Sequence, residues 1–227
     1  MKNTFFFNNK KNLFKNLHAE ILDIAKKSII KKGFFSIVLT GGKSILGLYQ
    51  ILSKSVSNFE KWHIYISDER FLPKNHQDRN DKAINKIWLN NKRIPKKNIK
   101  FIQAELGLDK ARKDYENKLK KVDTFDLVLL SVGSDGHISS LFPGHKYDKL
   151  QNVVIEMNSP KPPKERISMS YKRLNNTKNL FKIIIGSSKK PIVMRLLNGE
   201  RLSANSIQHK KEFFFIYTDL FSKKSKR

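Results

Sequence analysis

Phe125–Val132 reads FDLVLLSV and runs straight into the polar loop Gly133-Ser-Asp-Gly-His137. A short, mostly apolar run ending in glycine-rich polar sequence predicts a strand buried on both faces. The same signature recurs at Phe34–Thr40 (FFSIVLT), Trp62–Ser67 (WHIYIS), Leu180–Gly186 (LFKIIIG) and Phe213–Thr218 (FFFIYT). Helices fall between these runs. Leu13, Phe14, Leu17, Ile21, Ile24 and Ile29 recur at helical spacing, which predicts a helix over about Leu13–Lys31 that Gly33 terminates. Others are expected from a cap at Ser44 to about Lys54, near Asp81–Leu89, over about Leu108–Lys121 and over about Lys189–Leu197. Apolar strands alternating with helices predict an α/β, three-layer Rossmann-like fold, its mostly parallel sheet covered by helices on both faces. No repeat and no long linker interrupts the pattern, so one domain over residues 1–227 is expected.

In such sheets ligands sit outside the C-terminal ends of the strands. Thr40-Gly-Gly, Ser67-Asp-Glu-Arg70, Gly133–His137 and Gly186-Ser-Ser-Lys189 each follow a predicted strand, so four polar loops should converge on one edge. Each has a plain alternative. Thr40-Gly-Gly-Lys-Ser44 suggests a nucleotide-binding P-loop, but that motif requires glycine at position 37, which is Ile. What remains is either an ordinary strand–helix turn or a turn whose free N–H groups attract a phosphate or carboxylate. Asp135 and His137 on one loop suit general-base chemistry, with the carboxylate either fixing the imidazole tautomer or binding the substrate; an incidental surface loop is the alternative. Arg70 belongs either to a surface ion-pair cluster or to an anion site matched by its guanidinium fork. Lys189 at a helix start opposes the helix dipole unless an anion binds nearby; otherwise it is one more solvated charge.

Composition narrows the function classes. The 227 residues contain no Cys, which excludes a disulfide framework, a thiol nucleophile and Cys-ligated metal. No stretch reaches the roughly 18–20 apolar residues of a membrane span, and the N-terminal FFF is too short for a signal-peptide core, so a soluble cytoplasmic protein is expected. The six His include no pair four residues apart and no His-Glu-x-x-His, and there is no Gly-x-Ser-x-Gly elbow; neither metal nor cofactor is expected. The net charge of +26 invites a nucleic-acid partner. Its 37 Lys are scattered, however, and only Ser222–Arg227 looks like a basic arm. The 20 Asn, 23 Ile and 16 Phe beside 6 Ala point to AT-rich codon drift, so no nucleic-acid partner is expected.

Taken in order, these loops resemble the 6-phosphogluconolactonase family. Phe125–Gly144, FDLVLLSVGSDGHISSLFPG, is similar to its strand and its Gly-x-Asp-Gly-His-x-x-Ser-Leu-Phe-Pro-Gly loop. Asp68–Pro73, with Asn80 downstream, resembles its Asp-Glu-Arg-x-Val-Pro element, and Pro160–Ser170 and Gly186–Lys189 resemble later ones. The likeness spans about Val38 to Gly199. The glycine loop departs from the usual Ser-Gly-Gly-Ser-Thr-Pro, with Lys43 as the odd residue. Glucosamine-6-phosphate deaminases, which share the fold with ribose-5-phosphate isomerases, carry a related Asp-Gly-His loop but continue Phe-Asn-Glu-Pro-Gly. Leu141-Phe-Pro-Gly144, and Arg70 where that pattern has Tyr, favour the lactonase.

The resemblance implies hydrolysis of 6-phosphoglucono-δ-lactone, with His137 and Asp135 catalytic. Gly41, Gly42, Ser44, Asp68, Arg70, Arg166 and Lys189 would bind the phosphosugar. A monomer or weak homo-oligomer is expected. A same-fold deaminase or isomerase, and a basic nucleic-acid-binding protein, stand as the alternatives.

Overall fold

The computed structural model describes residues 3–218; the basic stretch Ser222–Arg227 lies outside them. The chain opens with β1 (Thr4–Phe6), α1 (Lys10–Lys32), β2 (Phe35–Leu39), α2 (Leu46–Ser53) and β3 (Trp62–Ile66). Next come β4 (Asp68–Arg70), α3 (Asn80–Ile87), β5 (Ile99–Lys100), α4 (Leu108–Leu119) and β6 (Leu127–Ser131). The remainder is β7 (Val153–Glu156), β8 (Arg166–Met169), α5 (Tyr171–Asn175), β9 (Leu180–Ile185), α6 (Lys190–Leu197), α7 (Ser203–Ser206) and β10 (Glu212–Tyr217).

One seven-stranded sheet, ordered β1-β10-β9-β6-β2-β3-β5, is parallel throughout. Right-handed crossovers then fix the layers. From β1 to β2, β2 to β3 and β3 to β5 the chain moves one way across the sheet, which puts α1, α2 and α3 on one face. From β5 to β6 and from β9 to β10 it moves the other way, which puts α4 and α6 on the opposite face. The expected three-layer α/β arrangement is therefore present. The sequence reading lacked a second sheet, β4-β8-β7, which is antiparallel and packs with α4. Asp68–Arg70, expected as loop, is its edge strand.

Local chemistry explains the elements. Asn9 caps α1 by accepting from Asn12 N at 2.8 Å, and Gly33 ends it in the left-handed region at φ 84°. Leu13, Phe14, Leu17, Ile21 and Ala25 form its buried stripe, and each large side chain there contributes about 1.5–3 kcal/mol. Ser44 is not a cap, contrary to expectation. Helix α2 starts at Leu46 with Ile45 before it and no side-chain capping bond, which leaves Ser44 on the loop.

Asp126, buried at the start of the central strand, ties three elements together. Its carboxylate accepts from Ser36 N (2.9 Å) and Oγ (3.0 Å), and pairs with Lys32 (2.8 Å) and Lys178 (2.9 Å). Burial opposes its ionisation, but the Lys32 and Lys178 bonds outweigh this and hold its pKa below the usual value. A depressed folded-state pKa stabilises above the unfolded value of about 3.9 and is lost as pH falls through the folded value. Asp126→Ala should cost about 3 kcal/mol at neutral pH. Urea titrations from pH 7 to pH 3 should show that deficit shrinking with acidification; a constant deficit would contradict the ionic account.

Candidate active site

Because the large sheet is parallel, the loops after β2, β6 and β9 leave from one edge. The chain goes from β2 to β3 on one side, while β6 is added on the other, so β2 and β6 flank the switch point where α/β sheets open a crevice. These strands pair at Ile37–Leu127 and Val38–Val128; beyond them Thr40 Oγ1 accepts from Ser131 N at 3.3 Å. Tyr49 of α2 anchors this strand end, its hydroxyl donating to Thr40 O at 2.7 Å and accepting from Thr40 N at 3.1 Å.

A cavity of about 200 Å³ sits at this point. The β2 loop contributes Gly41, Gly42 and Ser44, and β4 contributes Asp68 and Arg70. His137 comes from the β6 loop, Arg166 from β8 and Lys189 from the turn after β9. Of the expected site residues, Asp135 is not on the wall; it reaches the site through His137. A larger hollow of about 1040 Å³ lies between α6, α7 and the start of β10, where Glu200, Arg201, Lys210 and Glu212 set both signs of charge side by side.

His137 is held from three sides. Its Nδ1 lies 2.5 Å from Asp135 Oδ1, which also accepts from His137 N at 3.2 Å. Gly133 N donates to His137 O at 2.8 Å, closing the loop. The Phe142 ring packs against the imidazole, with centroids 4.7 Å apart. Partial burial opposes ionisation of Asp135, yet the His137 hydrogen bond and charge overcome this and hold its carboxyl well below the usual range. An ionised carboxylate can only accept, so Nδ1 carries a proton, and in the neutral imidazole that leaves the lone pair on Nε2. Among the described residues Nε2 has no hydrogen-bond partner.

Cations share the cavity with this imidazole. Arg166 donates to the carbonyls of Pro163 (3.2 Å) and Lys161 (2.9 Å), and its guanidinium lies 5.6 Å from the Phe142 ring centroid. Burial lowers its pKa, as does the charge of Arg70, against the pull of Asp68. Arg70 donates to Asp78 O. Lys189 does not begin α6 as expected; it closes a 3₁₀ turn, Ser187–Lys189, and its amine turns back to donate to Val132 O at 3.0 Å. Burial and the charge of Lys161 lower its pKa against the pull of Asp135. Cations destabilised by burial and by one another form a site that a bound anion relieves.

Sequence reasoning missed part of the wall. Asn80, Ser139 and Lys161 all line the cavity. Asn80 donates to Asp68 O at 3.0 Å, and a side chain on Gly41 would place Cβ 2.1 Å from Asn80 Oδ1, which explains a glycine there. Lys161 lay inside a segment already singled out, Pro160–Ser170, and its basic charge at that loop was the available signal. Lys43 is exposed and does not line the cavity. No group of three or more His, Asp or Glu among the described residues is placed to hold a metal ion.

Residues 8–215 match the family model described as Glucosamine-6-phosphate isomerases/6-phosphogluconolactonase. The chain belongs to this family. A relative within it, 6-phosphogluconolactonase 3, chloroplastic, from Arabidopsis thaliana, is 35% identical over 199 residues, which is 79% of this chain and 61% of the relative. The chain thus spans less than two thirds of that protein's length. Among solved structures, a 6-phosphogluconolactonase from Thermotoga maritima superposes with a TM-score of 0.88 at 24% identity, covering 95% of this chain and 99% of that one. A monomeric glucosamine-6-phosphate deaminase gives 0.82 at 19% identity, covering 95% and 97%. The family fold is shared by both activities, so the fold alone does not separate them.

Proposed function

We propose that the chain hydrolyses 6-phospho-D-glucono-1,5-lactone to 6-phosphogluconate, the lactone-opening step of the oxidative pentose phosphate pathway. One observation carries the reading: an imidazole with a free Nε2, backed by Asp135, opens into the same cavity as Arg70, Arg166, Lys161 and Lys189. Such a site matches a phosphorylated substrate with a hydrolysable carbonyl. Leu141-Phe-Pro-Gly144, in place of the deaminase Phe-Asn-Glu-Pro-Gly, favours lactone over amino sugar.

In this mechanism Nε2 of His137 takes a proton from a water molecule while the water oxygen attacks the lactone carbonyl. Asp135 steadies the imidazolium that forms. The cations and loop N–H groups balance the oxyanion. Collapse breaks the ring C–O bond, and the proton on Nε2 passes to the departing ring oxygen. The step is hydrolytic and draws on no metal or cofactor.

Arg70→Ala should lower kcat/KM for the phosphorylated lactone by about 10–100-fold, the range for a lost charged hydrogen bond. Unphosphorylated gluconolactone should be hydrolysed with little change. Equal losses on the two substrates would overturn the phosphate role. Ammonia release from glucosamine 6-phosphate would instead establish the deaminase reading. A salt-sensitive nucleic-acid complex, without lactonase activity, would establish the binding-protein one.

The same reading takes the chain as a monomer or weak homo-oligomer acting in the cytoplasm. No helix among the described residues is long and apolar enough to cross a membrane. The Arabidopsis relative is named as chloroplastic, and subcellular fractionation separates the two settings; signal confined to an organelle would overturn the cytoplasmic one.

A further inference from the structure

Ser139 stands two residues beyond His137, at a position the loop motif leaves open. Its backbone is left-handed, with φ 51°, a conformation that non-glycine residues hold only when their surroundings enforce it. The residue is 7% exposed and lines the cavity, yet its Oγ has no hydrogen-bond partner among the described residues. Ser140 supplies the contrast: its Oγ donates to Asp68 at 2.7 Å and its N–H donates to Ser168 Oγ at 3.3 Å. Native interiors avoid buried hydroxyls without partners, and here the orphan coincides with backbone strain on the wall of the site.

We propose that Ser139 is a specificity residue whose hydroxyl hydrogen-bonds a ring hydroxyl of the phosphosugar lactone, an inference that rests on the lactonase reading. The cations match the phosphate, and the carbonyl carbon must face His137. The ring hydroxyls remain, and each both donates and accepts, as a serine hydroxyl does. Ser139 Oγ is almost without solvent-accessible surface as the side chain stands, so the contact requires a χ1 rotation between staggered wells.

Ser139→Ala and Ser139→Gly test this together, because both remove the hydroxyl while only glycine also relieves the left-handed backbone. Both variants should raise KM for the lactone about 3–10-fold, with kcat changed less than about 2-fold. Affinity for 6-phosphogluconate, used as the non-reacting probe, should fall by the same factor. The melting temperature without ligand should not drop in either variant, and should be higher for glycine than for alanine. Unchanged KM and unchanged product affinity in both would overturn the proposal, leaving the hydroxyl a water contact. A lowered melting temperature with unchanged KM would overturn it in favour of a structural role. Failure of these variants leaves an active wild type, whereas a wild type that neither hydrolyses the lactone nor binds 6-phosphogluconate overturns both readings.

Discussion

His137→Ala should lower kcat/KM for the phosphorylated lactone by about 10²–10⁴-fold, the usual worth of a positioned general base. The fold should survive, because the side chain stands on a loop at the sheet edge, 19% exposed, and its one ring contact with the core among the described residues is Phe142. The residual rate should stay above the spontaneous one, since the cations proposed to hold the phosphate and orient the ring remain in place. KM should move little, since in the proposed mechanism the imidazole acts on water rather than on the part of the substrate that binds. Steady-state kinetics on folded variant, checked by circular dichroism, measure this. A variant retaining full activity would remove His137 from the mechanism.

Gly133→Ala should come close to that loss, although it adds a single methyl group. A Cβ at position 133 would stand 2.1 Å from both Cε1 and Nδ1 of His137 and 2.7 Å from Asp135 Oδ1. No real structure tolerates such contacts, so the imidazole must swing away and give up its bond to Asp135. Misplacement of a reacting group by about 1 Å costs on the order of 10²-fold. Gly133→Ala combined with His137→Ala should be no worse than His137→Ala alone, because both remove the same base. Additive losses would show that Gly133 acts through something other than the histidine. The glycine therefore serves the site through space rather than through backbone freedom.

The sequence disclosed those parts whose cause is local. Strands β2, β3, β6, β9 and β10 are apolar runs because both faces of each are covered, and α1, α3, α4 and α6 carry their periodicity in their own residues. The small sheet was illegible for a physical reason. Asp68–Arg70 reads as loop because its pairing partner, Arg166–Ser168, is remote in sequence, and only tertiary contact makes either a strand. Strand β1 is three residues long and β5 only two, too short to show alternation.

The site divides the same way. His137, Arg70 and Lys189 were legible because their side-chain chemistry stands at strand ends. Asp135 was legible as a partner, but its place behind His137 rather than on the wall was not. Ser139 was not legible at all: what distinguishes it is a missing hydrogen bond and a positive φ, and neither is written in residue type. Gly133 shows in the sequence only as the first residue of a glycine-rich polar loop, whereas its role comes from a ring packed against its α-carbon.

Whether this cavity opens a phosphorylated lactone comes down to one rate. The disappearance of freshly made 6-phosphoglucono-δ-lactone should be followed with purified protein against the spontaneous rate in the same buffer. The expected result is acceleration proportional to enzyme concentration, with 6-phosphogluconate formed one for one. Disappearance at the spontaneous rate, whatever the enzyme concentration, would contradict it.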